Sequence, residues 1–287
     1  MTAPAVNTAV NGVVDPALDR VPSIDVSSTQ QVPFGRLVSV ELRKMTDTRA
    51  GRWLLGITLG VLVVAAGIVV IISLFDEQFS MTLSDWQGML TFLTTMLVPT
   101  LAIMSVTQEW SQRTGLVTFA LEPHRIRVIL SKLVAVTLLA LITLVLAAVI
   151  AVAGHAALAV TGVDVSWSVD GTDLAWTFYL QMVYFLMAFG LAMAILNTPG
   201  SIVVYYLVAL ILPNIVYGAV YFLLSWGPDV VPWIDLSYAV GAFRGEMPEV
   251  PSGTPDLGVG PILSTLVIWV VLPMGIGLRR ILRAELK

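Results

Sequence analysis

Six long stretches of this chain carry no Asp, Glu, Lys or Arg: residues 53–75, 86–107, 133–160, 174–196, 202–224 and 257–278. About 20 apolar residues in an α-helix cross the hydrocarbon layer of a bilayer. A backbone in lipid must also satisfy its own hydrogen bonds, and a helix does so within one segment. Nothing in the sequence alternates polar and apolar residues as a barrel strand does. The expected fold class is therefore all-α, a polytopic membrane protein with six transmembrane helices. Composition agrees, at 57% hydrophobic and 12% charged residues, where a soluble domain is about 25% charged.

Charge sets the expected orientation, because Lys and Arg concentrate on the cytoplasmic side. With six crossings, the segment before the first span, the loop 108–132 and the C-terminal tail share one side. They hold all but one of the 15 Lys and Arg, the exception being Arg244. The opposite side holds Asp76, Glu77, Asp85, Asp164, Asp170, Asp173, Asp229, Asp235, Glu246, Glu249 and Asp256. This asymmetry predicts a multi-pass protein of a bacterial cytoplasmic membrane with both termini cytoplasmic. The Ala-, Val- and Gly-rich makeup adds a hint of a GC-rich bacterium.

Residues 1–33 are rich in Pro, Ser, Thr, Asn and Asp and read as a disordered cytoplasmic tail. From 34 to 52, Phe34, Val38, Leu42 and Met45 share one helical face while Arg36, Arg43, Lys44 and Asp47 lie mostly elsewhere. That pattern predicts an amphipathic helix lying in the membrane interface, leading into a permease domain over 53–287. On the other side, the long segment 225–256 contains an apolar run too short to cross, which suggests a re-entrant or interfacial element.

Several chemistries find no footing. The chain has no GxxxxGK[ST], HExxH or GxSxG, no acidic pair inside a span, and no cysteine. Of its two histidines, His124 falls in the loop 108–132 and His155 toward the outer end of the third span. A proton relay uses chains of ionisable groups, so His155 reads as a neutral hydrogen-bonding group. We therefore expect no enzyme, no bound metal and no cofactor on this chain. Energy for transport would have to come from another polypeptide.

Polar residues inside the spans are the candidates for a substrate pathway. Thr91, Thr94 and Thr95 share a face of the second span, followed by Pro99, which can bend the helix. The fifth span carries Tyr206, Pro213, Asn214, Tyr217 and Tyr221, close to helical spacing. Such residues also serve as polar glue between helices. Gly56 and Gly60 form a GxxxG, a signal for close helix packing.

The loop 108–132, QEWSQRTGLVTFALEPHRIRVILSK, interrupts this apolar chain with charge. Its Glu109, Gly115, Leu121, Pro123, Arg125 and Lys132 resemble, in order, a pattern of the membrane subunits of ABC type-2 exporters. The family often has Gly-Thr where this chain has Thr114, Gly115 and Leu116. An amphipathic helix, six spans and a long outer segment between spans five and six extend the likeness over about 34–287. The resemblance implies a permease subunit of an ATP-driven exporter, working as two copies or with a related subunit. ATP and Mg would sit on separate ABC ATPase subunits docked under a cytoplasmic coupling helix. The residues implied in coupling are Glu109, Arg113, Gly115, Leu116, Phe119, Pro123, Arg125 and Lys132; in the loop, Leu116, Phe119 and Ala120 can form an apolar face for a partner, with Glu109, Arg113, Arg125 and Arg127 as rim charges. The other implied partner is the lipid bilayer, with no nucleic acid, and the uncharged spans favour a lipophilic or amphipathic substrate. Alternative readings are a non-transporting membrane anchor or regulator of an ATPase and, less well supported, a membrane enzyme.

Overall fold

A computed structural model describes residues 32–76, 79–111, 124–163, 165–248 and 256–283. Helix α1, Phe34–Asp47, is followed by α2, Arg49–Ser73. Then come α3 (Leu83–Ser111), α4 (Arg125–Val160), α5 (Gly171–Ile195) and α6 (Thr198–Leu223). Two short helices follow, α7 (Gly227–Val230) and α8 (Leu236–Arg244), and α9 (Gly260–Arg283) comes last. No strand occurs among the described residues. Six of these helices, α2 to α6 and α9, are long and apolar enough to cross a membrane.

The helices begin where local chemistry caps them. Thr82 and Asp85 form a reciprocal cap at α3: Asp85 N donates to Thr82 Oγ1 at 3.2 Å, and Thr82 N donates to Asp85 Oδ2 at 2.9 Å. Asp170 caps α5, Asn197 caps α6 and Asp235 caps α8, each accepting from backbone N–H groups of the first turn. Thr48 is extended and its hydroxyl accepts from Gly51 N. The stretch 34–52, read from the sequence as one helix, is therefore broken at Thr48, and residues 49–52 belong to the first span. Likewise α4 begins eight residues before its apolar stretch, because a helix continues past hydrocarbon with Arg125, Arg127 and Lys132 in its first turns.

Two prolines shape the spans that matter most. Pro99 has no N–H to give the carbonyl of Thr95, four residues back. The helix is interrupted at Val98, and the Tyr205 hydroxyl of α6 donates to Thr95 O at 2.7 Å in its place. In α6, Leu207–Tyr217 widens into a π-helix around Pro213. Asn214 Nδ2 donates to Leu210 O at 2.8 Å, supplying a carbonyl in that irregular stretch.

Contacts at helix ends define two ends of the bundle. At the basic end, Arg125 Nη1 donates to Ile281 O at 2.8 Å, and Arg280 Nη1 donates to Ala194 O at 2.7 Å. Each guanidinium thus answers the carbonyls left over at a helix C-terminus. At the acidic end, Arg244 pairs with Asp173 and Glu246. Between them, α3 and α5 are the most enclosed helices: 61% of the apolar window of each is buried, against 17% in α2 and 22% in α6. A site built inside this protein therefore forms on α3 and α5.

Candidate functional site

Two constellations of polar groups occupy this frame, one at the basic end and one in the opposite half. At the basic end, Lys132 of α4 is buried with its ammonium 2.6 Å from Glu41 Oε2 and 3.0 Å from Glu109 Oε1, and it donates to Ser105 O at 2.9 Å. Lys44 Nζ closes the group, 2.7 Å from Glu41 Oε1 and 3.0 Å from Glu109 Oε1. Among the described residues, two carboxylates and two ammonium groups form this cluster, which joins α1, α3 and α4. Burial opposes the charge on Lys44, but the carboxylates of Glu109 and Glu41 outweigh it and hold its pKa above the usual lysine value.

This cluster changes what α1 is. Val38 and Met45 of the predicted apolar face are buried, yet Phe34 is exposed, and Glu41 is buried between them. The helix packs chiefly on α4 through an ion pair. Glu109 and Lys132, both expected as coupling residues, face α1 and each other. Arg125 serves the last turn of α9. Arg113, Gly115, Leu116, Phe119 and Pro123, with the predicted coupling helix, lie outside the described residues.

The second constellation is a cavity of about 500 Å³ between α3, α5, α6 and α8, within the range of small-molecule sites. Of the residues expected on a substrate pathway, Thr91 and Thr95 of α3 and Pro213 and Asn214 of α6 line it. Thr94 is buried behind them, donating to Thr91 O at 2.8 Å. Pro99 is buried outside the cavity. Tyr206 meets Thr100 Oγ1 at 3.3 Å instead, and Tyr217 does not reach the lining. Sequence reading misses the α5 wall, Gln181 and Tyr184, and the α8 cover, Ser237 and Tyr238. Gln181 is fully buried, and its amide meets the Thr95 hydroxyl, which also donates to Thr91 O at 2.9 Å. The Tyr184 and Ser237 hydroxyls lie 2.9 Å apart. Among the described residues the lining carries no charged side chain and includes apolar Phe92, Met96, Leu180 and Phe222.

Behind the α8 cover, Asp235 is buried, and its Oδ1 accepts from Ser237 N at 2.9 Å and Tyr238 N at 3.0 Å. Burial pushes its carboxyl up to about 6, against the opposing effect of those two backbone hydrogen bonds. Between the ordinary carboxylate range and pH 6 the folded protein holds a proton here that the unfolded chain has released. Stability from this group thus falls as pH rises through that window, and the cost is complete above it. Asparagine caps a helix as well as aspartate does. Asp235→Asn should therefore stabilise the protein by roughly 2 kcal/mol at pH 8, with the gain gone by pH 4. Thermal unfolding of both forms across that range checks it, and a gain independent of pH would exclude this origin.

His155, expected as a hydrogen-bonding group, is fully buried with neither ring nitrogen partnered among the described residues. Its ring meets Trp167 edge-on, with centroids 4.7 Å apart. No group of His or acidic residues able to hold a metal occurs among the described residues. Compared with protein-family models and with curated proteins, the chain matches none.

Proposed function

We propose that this chain is the membrane subunit of an ATP-driven exporter, its cavity holding the substrate and separate ATPase subunits supplying the energy. The observation that carries the reading is the cavity itself. Polar residues of the second and fifth spans, which lipid would exclude, converge with α5 on one partly open space with no charged side chain among its described lining residues. The cluster at the basic end supports a coupling role. It links the ends of α3 and α4, which flank residues 112–123, to α1 through buried ion pairs. A force on that segment would move the two helices and α1 together. In this reading Glu109 and Lys132 transmit motion, while Leu116 and Phe119 make the contact with the ATPase. The apolar lining fits a lipophilic or amphipathic cargo, and two copies of the chain, or this chain with a related one, complete the pathway.

Co-purification tests the partner. An ATPase bound to the wild-type chain should be lost at least tenfold from Leu116→Asp with Phe119→Ala, each a contact of the anchoring kind. ATP-dependent movement of substrate into proteoliposomes then separates an exporter from a passive anchor of the same ATPase. Retention of the ATPase by the double variant removes the proposed docking site.

A further inference from the structure

The space between α3, α5, α6 and α8 is fastened at its end and loose along one side. At the acidic end α8 covers it, and three ties hold that cover down. The Tyr184 and Ser237 hydroxyls lie 2.9 Å apart, and Arg244 pairs with Asp173 of α5. Trp269 Nε1 of α9 donates to Ile234 O, just before α8, at 2.7 Å. The side between α3 and α6 is built differently. Toward the basic end the Thr107 and Thr198 hydroxyls meet at 2.7 Å and those of Thr100 and Tyr206 at 3.3 Å, and Tyr205 donates to Thr95 O at 2.7 Å. From Thr94 back to Leu83, no hydrogen bond or ion pair joins α3 to α6 among the described residues; the Thr94 hydroxyl and the Asn214 amide each serve a carbonyl of their own helix.

Exposure marks that side as the mouth. Phe92 and Phe222 line the cavity and yet are 52% and 53% exposed, and Gly88 and Asn214 in the same lining are exposed too. Thr91, Thr95 and Gln181 are buried and form the back. Met96 and Asn214 stand near the midpoints of helices long enough to cross a membrane, and Ile211 and Ile215 extend the exposed apolar surface around Asn214. The mouth of the cavity therefore opens onto hydrocarbon rather than water.

We propose that the cavity takes in a hydrocarbon chain of a membrane lipid, which enters sideways between α3 and α6. An unfilled space forfeits dispersion on each of its walls, and the acyl layer at the mouth supplies flexible methylene chains to fill it. Phe92, Met96, Leu180 and Phe222 offer such a chain apolar contact. The ligand class is an amphiphile held in the bilayer, its headgroup staying in the interface while one chain occupies the cavity. The inference rests on the transport reading for the use of this cavity and names the class of cargo that reaches it. Lipid entry itself needs no ATPase, so the two can fail separately.

A phosphatidylcholine with a diazirine midway along one acyl chain is the probe; light expels nitrogen, and the carbene left behind inserts into neighbouring C–H and O–H bonds. With the full chain in lipid nanodiscs, adducts mapped by mass spectrometry should fall on Leu180 and Gln181 as well as on the exposed Val63 and Val64 of α2. The same lipid with its diazirine on the choline should leave Leu180 and Gln181 unlabelled. A Cβ at Gly88 meets open space, so Gly88→Trp should obstruct the mouth. It should lower the cavity adducts by about tenfold, the effect of crowding by one bulky group, and leave those on α2 unchanged. Phe92→Ala should raise them, which keeps the mouth testable even where Gly88→Trp does not fold. The chain has no cysteine, so Phe222→Cys carries a single thiol, and oxidation in membranes should yield no disulfide-linked dimer. Labelling of α2 without the cavity, cavity adducts equal from the choline probe or unchanged in folded Gly88→Trp, or a Phe222→Cys dimer, which would seat a second copy over the mouth, would each overturn the proposal. Cavity adducts without ATP-dependent transport would leave it standing while the transport reading fell, and transport without cavity adducts would do the reverse.

Discussion

Lys132→Met should lower the stability of this protein by about 3–5 kcal/mol, the usual loss when one member of a buried ion cluster is removed and its partners stay. For a chain of this size that is a fall of roughly 10 °C in melting temperature. Lys132 Nζ is the group nearest Glu41 and also reaches Glu109 and Ser105 O. Methionine fills the same volume but removes the cation closest to Glu41 and leaves both carboxylates deep in the bundle. The Lys44 side chain is 42% exposed, against 6% for Lys132, so Lys44→Met should cost about 1 kcal/mol or less. The contrast separates a buried cluster from a surface one, and equal effects of the two substitutions would exclude the buried geometry. A second step isolates the pairing. Glu109→Gln combined with Lys132→Met removes one charge of each sign, so the double variant should be more stable than Lys132→Met alone.

The cluster also shows which parts of this fold can be read from sequence. Lipid imposes length and freedom from charge on every crossing, so the six spans and the lopsided charge stand in plain view. Side-chain partnership across helices does not. Glu41 lies between Val38 and Met45 on the very face taken as apolar, and a carboxylate inside an apolar stripe was the available sign that α1 meets a cation within the protein. Thr91, Thr95, Pro213 and Asn214 were legible as cavity residues because each breaks the apolar rule of its span. Gln181 breaks it equally, as one amide in the middle of FYLQMVY. Nothing local tells a lining amide from one that glues two helices, and its contact with Thr95 is visible only once α3 lies beside it.

Glycine gives the second large effect, and here the sequence signal points to the wrong helix. The GxxxG of Gly56 and Gly60 predicts close packing on α2, yet a Cβ at either position meets nothing within 4 Å. The tight crossing is between α5 and α9, where no such motif stands. A Cβ on Gly277 would lie 2.3 Å from Met193 Cβ and 2.6 Å from its carbonyl carbon. On the other side of the crossing, a Cβ on Gly190 would lie 3.0 Å from Met274 Cγ and 3.2 Å from Met274 N. Each glycine thus receives a methionine three residues along the opposing helix. Inside lipid, helices associate through such close contact rather than through the hydrophobic effect, so separating them forfeits dispersion that nothing replaces. Gly277→Ala should therefore destabilise by about 3 kcal/mol or more, because backbone atoms must move apart. Gly190→Ala should cost about 1 kcal/mol, since the Met274 side chain can swing aside, and Gly60→Ala should be neutral or slightly stabilising. Melting temperatures in one detergent would rank the three. An order in which Gly60→Ala is the worst would place the close crossing on α2 and overturn the packing of α5 on α9.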